Sequence, residues 1–301
     1  MQGSKGQVEA IRRSVAQGGA LRPVRIDGDL FESTAELQPN GRTFGGRLIA
    51  ECLAAAAQTV EPAFRVNALH MQFLNPGDTG VPVRFAVERL RDGRNFISRQ
   101  VRALQGDRLV CTALVSAGRE SSGLENQPAL PDIPAPDDVA PHHVVRDEIK
   151  ATNPPLANLL FGREHPVEIR PVLYPRPGAE RPEAIAYWFR PLPDWEDLTD
   201  PIGRAAVVAY MSDRLAMTSS TMPHLDLLDG HDFVLSSLDH ALWLHRDYQP
   251  GLWLLHWIES VTTTGRRAYV RGRMFTETGD YIASTGQEGL LDPRPRPVPA
   301  T

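Results

Sequence analysis

The sequence has few cysteines, no long hydrophobic run and no excess of basic residues. Its two cysteines, Cys52 and Cys111, each lie in an apolar stretch, which argues against a disulfide framework or a cysteine-ligated zinc site. No stretch approaches the roughly 18 apolar residues of a membrane-spanning helix, and the first residues lack the apolar core of a secretory signal. These absences predict a cytoplasmic protein without a membrane span, a bound metal or a cofactor.

The charge balance argues against one broad class of partner. The 32 lysine and arginine residues are outnumbered by 37 aspartate and glutamate residues, so the formal net charge is -5. Proteins that bind nucleic acids carry a basic surface that neutralises phosphates. We therefore expect no nucleic-acid partner.

Three common catalytic motifs are absent as well. The sequence contains no G-x-S-x-G, no H-E-x-x-H and no G-x-x-x-x-G-K-[ST]. Serine hydrolases of the α/β type, zinc proteases and P-loop enzymes therefore lose their main sequence evidence. Cys52 is a weak candidate nucleophile, because a lone cysteine in an apolar helix is more often an inert small hydrophobe.

A segment rich in proline, aspartate and serine divides the chain. Residues 119–155 carry no sustained apolar period and are typical of a linker. Residues 1–118 and 156–301 have the same order of elements, because helical runs at 45–60 and 203–220 each precede four strand-like stretches. We predict an α+β fold of two tandem repeats, each a long helix wrapped by an antiparallel sheet.

The repeat extends to individual residues. The aligned pairs are His70 with His240, Phe73 with Trp243 and Leu74 with Leu244 at a spacing of 170, then Gly93 with Gly265, Arg94 with Arg266 and Arg99 with Arg271 at 172. Two nearly equal spacings favour duplication over chance.

Six strings, in this order, carry a resemblance to a known family. They are TFGGRLIAECL, LHMQFLNPGD and LRDGRNFISRQVRA in the first half, and YMSDRL, SSLDHALWLHR and ASTGQEG in the second. Together they resemble the acyl-CoA thioesterase II family, whose fold is a double hotdog in one chain. The resemblance covers nearly all of residues 44–291. It implies an enzyme of lipid metabolism that hydrolyses acyl-CoA to free fatty acid and CoA.

The resemblance also implies the catalytic residues. The family's aspartate in its Y-x-S-D string falls on Asp213, its hydroxyl residue before the x-D-H string on Ser237, and its glutamine in the Q-E-G string on Gln287. Serine stands at 237 where threonine is more familiar, and the hydroxyl group is retained. These three side chains would direct a water at the thioester carbonyl.

Four first-half residues form the predicted substrate-binding set. Backbone N–H groups near Phe44, Gly45 and Gly46 are candidates for the developing oxyanion, because glycine permits close approach and a helix N-terminus favours negative charge. His70 is the fourth. Its aligned partner His240 fits a role in the shared fold better than one in the chemistry.

The repeat predicts one working site per chain. The first-half counterpart of Asp213 falls near Ala55, and that of Gln287 falls near Val115 or Leu114, so neither polar group recurs.

Other functions remain open on the sequence. A hotdog-fold enoyl-CoA hydratase or dehydratase would need an Asp/His pair next to the substrate, and we do not find that family's hydratase motif in the sequence. Separately, His240 beside Asp239 could be a base with an orienting partner, and the spacing from His240 to His245 could suit a metal; we favour structural roles for these histidines. A non-catalytic acyl-CoA-binding protein is the third possibility. Exposed sheet edges also predict a homodimer or a larger homo-oligomer.

Overall fold

The computed structural model of this chain describes residues 21–33, 41–163, 165–176, 178–192 and 200–296. The strands of its first half are β1 (Val24–Asp27), β2 (Leu30–Glu32), β3 (Phe64–Phe73), β4 (Arg84–Asp92), β5 (Phe96–Gln105) and β6 (Arg108–Arg119). The strands of its second half are β7 (Val167–Leu173), β8 (Ala184–Pro191), β9 (His231–Ser237), β10 (Asp239–Leu244), β11 (Leu254–Thr264), β12 (Arg267–Thr276) and β13 (Tyr281–Pro295).

Five α-helices accompany these strands in the described residues. They are α1 (Gly45–Ala57), α2 (His142–Thr152), α3 (Pro154–Phe161), α4 (Pro201–Ser212) and α5 (Ala216–Ser219). Short 3₁₀ turns cover Pro136–Asp138 and Met222–Leu228.

The strands form one continuous antiparallel sheet in the order β1-β2-β4-β5-β6-β3-β10-β13-β12-β11-β8-β7, with β9 on β13. The two halves join where β3 pairs with β10, in a register that sets Met71 opposite His240. Strands from one half therefore remove an exposed edge from the other. The predicted double hotdog fold is confirmed.

Helices α1 and α4 pack against this sheet and against each other. Every residue of α1 after Gly45 is buried, and its alanine-rich sequence both favours a helix and leaves little side chain between the two backbones. Their approach is close enough that a Cβ on Gly46 would overlap the carbonyl oxygen of Tyr210. The start of α1 lies against the end of α4, so the two helices are antiparallel.

The structure adds elements that the sequence pattern did not predict. Hairpins β1–β2 and β7–β8 precede the helix of each half. The predicted linker contains α2, which buries Val145 and Ile149. Two buried residues are too few to show a helical period in the sequence. The SSLDHALWLHR motif is divided between β9, which ends at Ser237, and β10, which begins at Asp239. The boundaries at residues 118 and 156 stay predictions.

Candidate active site

The structure brings the three predicted catalytic side chains together. Asp213 is the C-cap of α4, Ser237 ends β9 and Gln287 lies in β13. The Nε2 amide of Gln287 donates to Asp213 Oδ1 at 3.0 Å and to Ser237 Oγ at 2.6 Å. Both N–H groups of this buried amide are therefore used within the trio, a more specific role than the sequence predicted.

Local backbone features aim the Asp213 carboxylate. The start of helix α4 is stabilised by its N-cap Asp200, whose side chain accepts from the backbone N–H groups of Ile202 and Gly203. It stops at Asp213, and Leu215 two residues later is left-handed with φ 59°, an uncommon conformation for a leucine. Tyr187 Oη donates to the carbonyl of Arg214 at 3.0 Å and supports this sharp turn.

A bulge brings two side chains to Gln287. Ser237 pairs with Gly289 and Ala241 pairs with Gly286, so three residues between them face only two on β13. An extra residue in one strand changes which side chains share a face. Here Ser237 and His240 both reach the Gln287 amide, and His240 Nδ1 lies 2.7 Å from Gln287 Oε1.

His240 is buried between the trio and α4. Its Nε2 lies 2.8 Å from Ser212 Oγ. Burial lowers the pKa of His240, and the nearby negative charge of Asp213 offsets only part of that effect, so the imidazole is neutral at neutral pH. Sequence reasoning assigned His240 to the fold. The D-H dipeptide of its motif was the available hint of this contact.

Asp239 is not the orienting partner of His240. Asp239 Oδ1 accepts the backbone N–H of Glu288 at 2.7 Å, whereas His240 contacts Ser212 and Gln287. His245 Nε2 lies instead 2.8 Å from Ser284 Oγ. No cluster of three or more potential metal ligands occurs among the residues that the structure describes.

The start of α1 faces the trio. Phe44 is its N-cap and provides no side-chain cap. Gly45 lies against the carboxylate, since a Cβ there would be 2.7 Å from Asp213 Oδ2 and 3.3 Å from the Phe73 ring. The Phe44 ring packs edge-on against His165 at 5.1 Å. The predicted oxyanion-binding segment is thus adjacent to Asp213.

His70 lies elsewhere. Met71 pairs with His240 on the inner face of the sheet and is buried, and neighbouring residues of a strand point to opposite faces. His70 is therefore exposed on the outer face, where its ring meets Trp243 edge-on at 5.2 Å. The predicted equivalence of His70 and His240 is wrong in detail, and the structure does not bring His70 to the trio.

The aligned pair of Arg99 and Arg271 differs in the same way. Arg99 is buried and its Nε donates to Thr59 Oγ1, whereas Arg271 is an exposed partner of Glu259. The duplication holds for elements, while single residues within it shift by a position.

The two cysteines lie close to each other in the core. Cys52 Sγ and Cys111 Sγ are 3.9 Å apart, and both thiols are free. Burial raises the pKa of Cys52 well above its ordinary value. Such a thiol is protonated and shielded, which agrees with the inert role expected for it.

Comparisons with known proteins match both halves of the chain. Residues 34–118 match the family described as "Acyl-CoA thioesterase N-terminal domain", and residues 156–290 match "Acyl-CoA thioesterase". "Acyl-CoA thioesterase 2" from Haemophilus influenzae is 31% identical over 90% of this chain and 95% of its own length.

The chain belongs to the acyl-CoA thioesterase II family.

It is therefore an enzyme that hydrolyses acyl-CoA thioesters. Other relatives agree with this acyl-CoA thioesterase assignment. The human "Acyl-coenzyme A thioesterase 8" is 29% identical over 98% of this chain and 94% of its own length. The crystal structure of an acyl-CoA thioesterase II from Mycobacterium marinum is 31% identical, with a TM-score of 0.71 over 90% of this chain and 96% of that chain. No helix among the described residues of this thioesterase is long and apolar enough to cross a membrane.

Proposed function

We propose that Asp213, Ser237 and Gln287 direct the water that hydrolyses the acyl-CoA thioester. The supporting observation is that one buried amide, that of Gln287, donates to both the Asp213 carboxylate and the Ser237 hydroxyl. Asp213 Oδ2 and the hydroxyl proton of Ser237 are then the groups that a water can contact. Gln287 holds both in place, so it acts as a positioning residue.

Each step of this reaction has a residue to serve it. Asp213 accepts a proton from the water as its oxygen bonds to the thioester carbonyl carbon. The tetrahedral intermediate collapses by breaking the C–S bond, and the proton held by Asp213 passes to the leaving sulfur of CoA. Water and thioester are consumed, and a carboxylic acid and a thiol are formed.

The start of α1 supplies the oxyanion site in this proposal. The Gly45 and Gly46 backbone N–H groups lie in the first turn of a helix whose N-cap Phe44 offers no competing acceptor. A helix N-terminus carries partial positive charge, and its first N–H groups lack acceptors within the helix. Because Gly45 adjoins Asp213, the attacking water and the carbonyl oxygen would lie on either side of one carbonyl carbon.

Release of CoA thiol from acyl-CoA tests the assignment. Asp213→Ala should lower kcat about a thousandfold, the scale of a lost general base, with its fold intact. Asp29→Asn is the matched control, because Asp29 is a partly buried carboxylate in the first half of the chain, where it pairs with Arg89. Wild-type kcat in both Asp213→Ala and Gln287→Ala would refute the proposed site.

We also propose fatty acyl-CoA as the substrate and a homo-oligomer as the assembly. Leu114, His70 and Trp243 lie exposed on adjacent strands of the outer sheet face, and such apolar surface favours association. Turnover across a series of acyl-CoAs from short to long tests the proposed substrate. The mass in solution from light scattering tests the proposed assembly. Trp243→Glu is the variant that should dissociate the assembly.

A cytoplasmic location completes the proposal. The free Cys52 and Cys111 thiols, 3.9 Å apart, fit a reducing compartment. Cell fractionation, with activity recovered outside the cytoplasmic fraction as the contrary result, tests it.

A further inference from the structure

Two polar residues of the catalytic motifs have no role so far. Ser212 immediately precedes Asp213, and His240 follows Ser237 by three positions. Both are buried, with 0% and 1% of their surface exposed. Burying a polar side chain is unfavourable unless its hydrogen bonds are satisfied, so each of these two side chains should have hydrogen-bond partners.

The hydrogen-bond donors in this cluster can be assigned from the acceptors. A carboxylate accepts and cannot donate, so the amide nitrogen of Gln287 must face Asp213, and its oxygen must face His240. An amide oxygen also only accepts. Nδ1 of His240 must therefore carry a proton and donate to Gln287 Oε1.

The other nitrogen of His240 is held by Ser212. A neutral imidazole protonated at Nδ1 leaves Nε2 as an acceptor, and the Ser212 hydroxyl 2.8 Å away can donate to it. The same hydroxyl lies 2.7 Å from the carbonyl of Ala209 and can donate there if Nε2 gains a proton. In either state Nδ1 keeps its proton and donates the hydrogen bond to Gln287 Oε1.

We propose that His240 is a positioning residue for thioester hydrolysis: oriented by Ser212, it donates from Nδ1 to Gln287 and thereby fixes which end of the amide faces Asp213. This inference rests on the proposed function of the trio. Without the Nδ1 donor, the Gln287 amide can turn over and present its oxygen to the carboxylate. Two acceptors would then face each other, and Asp213 would leave its position against Gly45.

Replacing His240 tests this role. His240→Leu should lower kcat about tenfold to hundredfold and change KM by less than about twofold, because the loss affects the chemical step and not binding. His240→Asn should recover most of that loss, since its amide N–H can donate to Gln287 Oε1. His245→Leu is the control, because it removes another imidazole that contacts a side chain of β13, Ser284, and not the trio.

A double-mutant cycle separates positioning from packing. In a Gln287→Ala background, His240→Leu should change kcat by less than about twofold, because the group through which it acts is gone. An equal fall in both backgrounds, or a wild-type kcat for His240→Leu alone, would overturn the inference. Circular dichroism and thermal melting confirm the fold of each variant.

Two further comparisons keep the outcome clear. If Asp213→Ala and Gln287→Ala retain wild-type kcat, the proposed function itself fails; if they lose activity while His240→Leu does not, only the positioning role fails. If His240→Leu does not fold, Ser212→Ala replaces it. That variant should lower kcat about threefold to tenfold, lose this effect in the Gln287→Ala background, and be rescued by Ser212→Thr.

Discussion

The two ends of the α1–α4 helix pair are built from equivalent elements and differ in chemistry. At one end the start of α1 meets the end of α4, and Asp213, Ser237 and Gln287 converge there. At the other end the start of α4 meets the end of α1 beside a cavity of about 820 Å³ lined in part by Leu53, Ala57, Ile202 and Val208.

The helix starts show the first difference. Phe44 leaves the first N–H groups of α1 without a side-chain acceptor, whereas Asp200 accepts from the N–H groups of Ile202 and Gly203 at the start of α4. A filled N-cap stabilises a helix but removes the donors that an oxyanion would need. One helix start therefore has no side-chain acceptor for its N–H groups, as the proposed oxyanion site requires, and the other is capped.

The polar groups show the second difference. Aligning the two helix starts places Ala57 at the position of Asp213, two residues beyond the Ala55 expected from the sequence. Val115 is buried, like Gln287, whereas Leu114 points outward, which resolves the two candidates for the counterpart of Gln287. Duplication therefore preserved the scaffold in both halves, whereas the polar groups of the proposed site occur at one end.

Among the exchanges between the two ends, the largest expected effect comes from making the first end resemble the second. Gln287→Val removes both donors that hold Asp213 and Ser237, and we expect kcat to fall about a hundredfold. Thiol release from acyl-CoA measures it. The reciprocal Val115→Gln should leave kcat unchanged, and a comparable loss there would show that the two ends are not functionally distinct.

Moving the cap between the helices gives a smaller effect. Phe44→Asp should cap α1 as Asp200 caps α4 and occupy the proposed oxyanion donors, so kcat should fall about tenfold. Phe44→Leu removes the ring without adding an acceptor, and it serves as the control. Equal rates for the two variants would argue against an oxyanion site at the start of α1.

Acid should destabilise the catalytic end, where buried histidines cluster. Burial lowers the pKa of His256 to about 3, and His165 and His240 are shifted in the same direction. The unfolded state takes up a proton below its ordinary pKa of about 6.5 while the folded state does not, so stability is full above that pH and falls below it.

For His256, whose pKa is lowered to about 3, this loss should be about 1 kcal/mol at pH 5.5. Denaturant unfolding at pH 7.5 and 5.5 measures this loss, and His256→Asn should reduce it. A free energy of unfolding that is the same at both pH values would contradict the assignment of neutral buried imidazoles.

The smallest effect belongs to the other end. Asp200→Ala should lower the free energy of unfolding by about 1 kcal/mol, the usual value of a lost N-cap, and leave kcat unchanged. Asp200→Asn keeps a capping oxygen and should be nearly neutral, which separates capping from the ion pair of Asp200 with Arg22. A fall in kcat for Asp200→Ala would mean that the second end contributes to turnover.

The residue pattern predicted the repeated α+β layout, and the family resemblance of the motifs implied the double hotdog fold and the trio, because these depend on patterns that survive in local residue order. It could not place His70 and His240 on opposite faces. That outcome depends on the extra residue between Ser237 and Ala241, and a one-residue shift in a strand reverses the direction of every side chain. The hairpins before each helix, and α2 within the predicted linker, were not predicted from the sequence because their apolar patterns are short.

The amino-acid order by itself determined that Asp213, Ser237 and Gln287 are present in their motifs and that no carboxylate stands at the first-half counterpart of Asp213. Only the tertiary structure decided what these residues contact. Hydrogen bonds between α4, β9, β10 and β13 depend on distances of a few ångströms across 28 to 74 residues of chain, and no spacing in the sequence encodes them. The fold therefore turned three separate motifs into one network that includes Ser212 and His240.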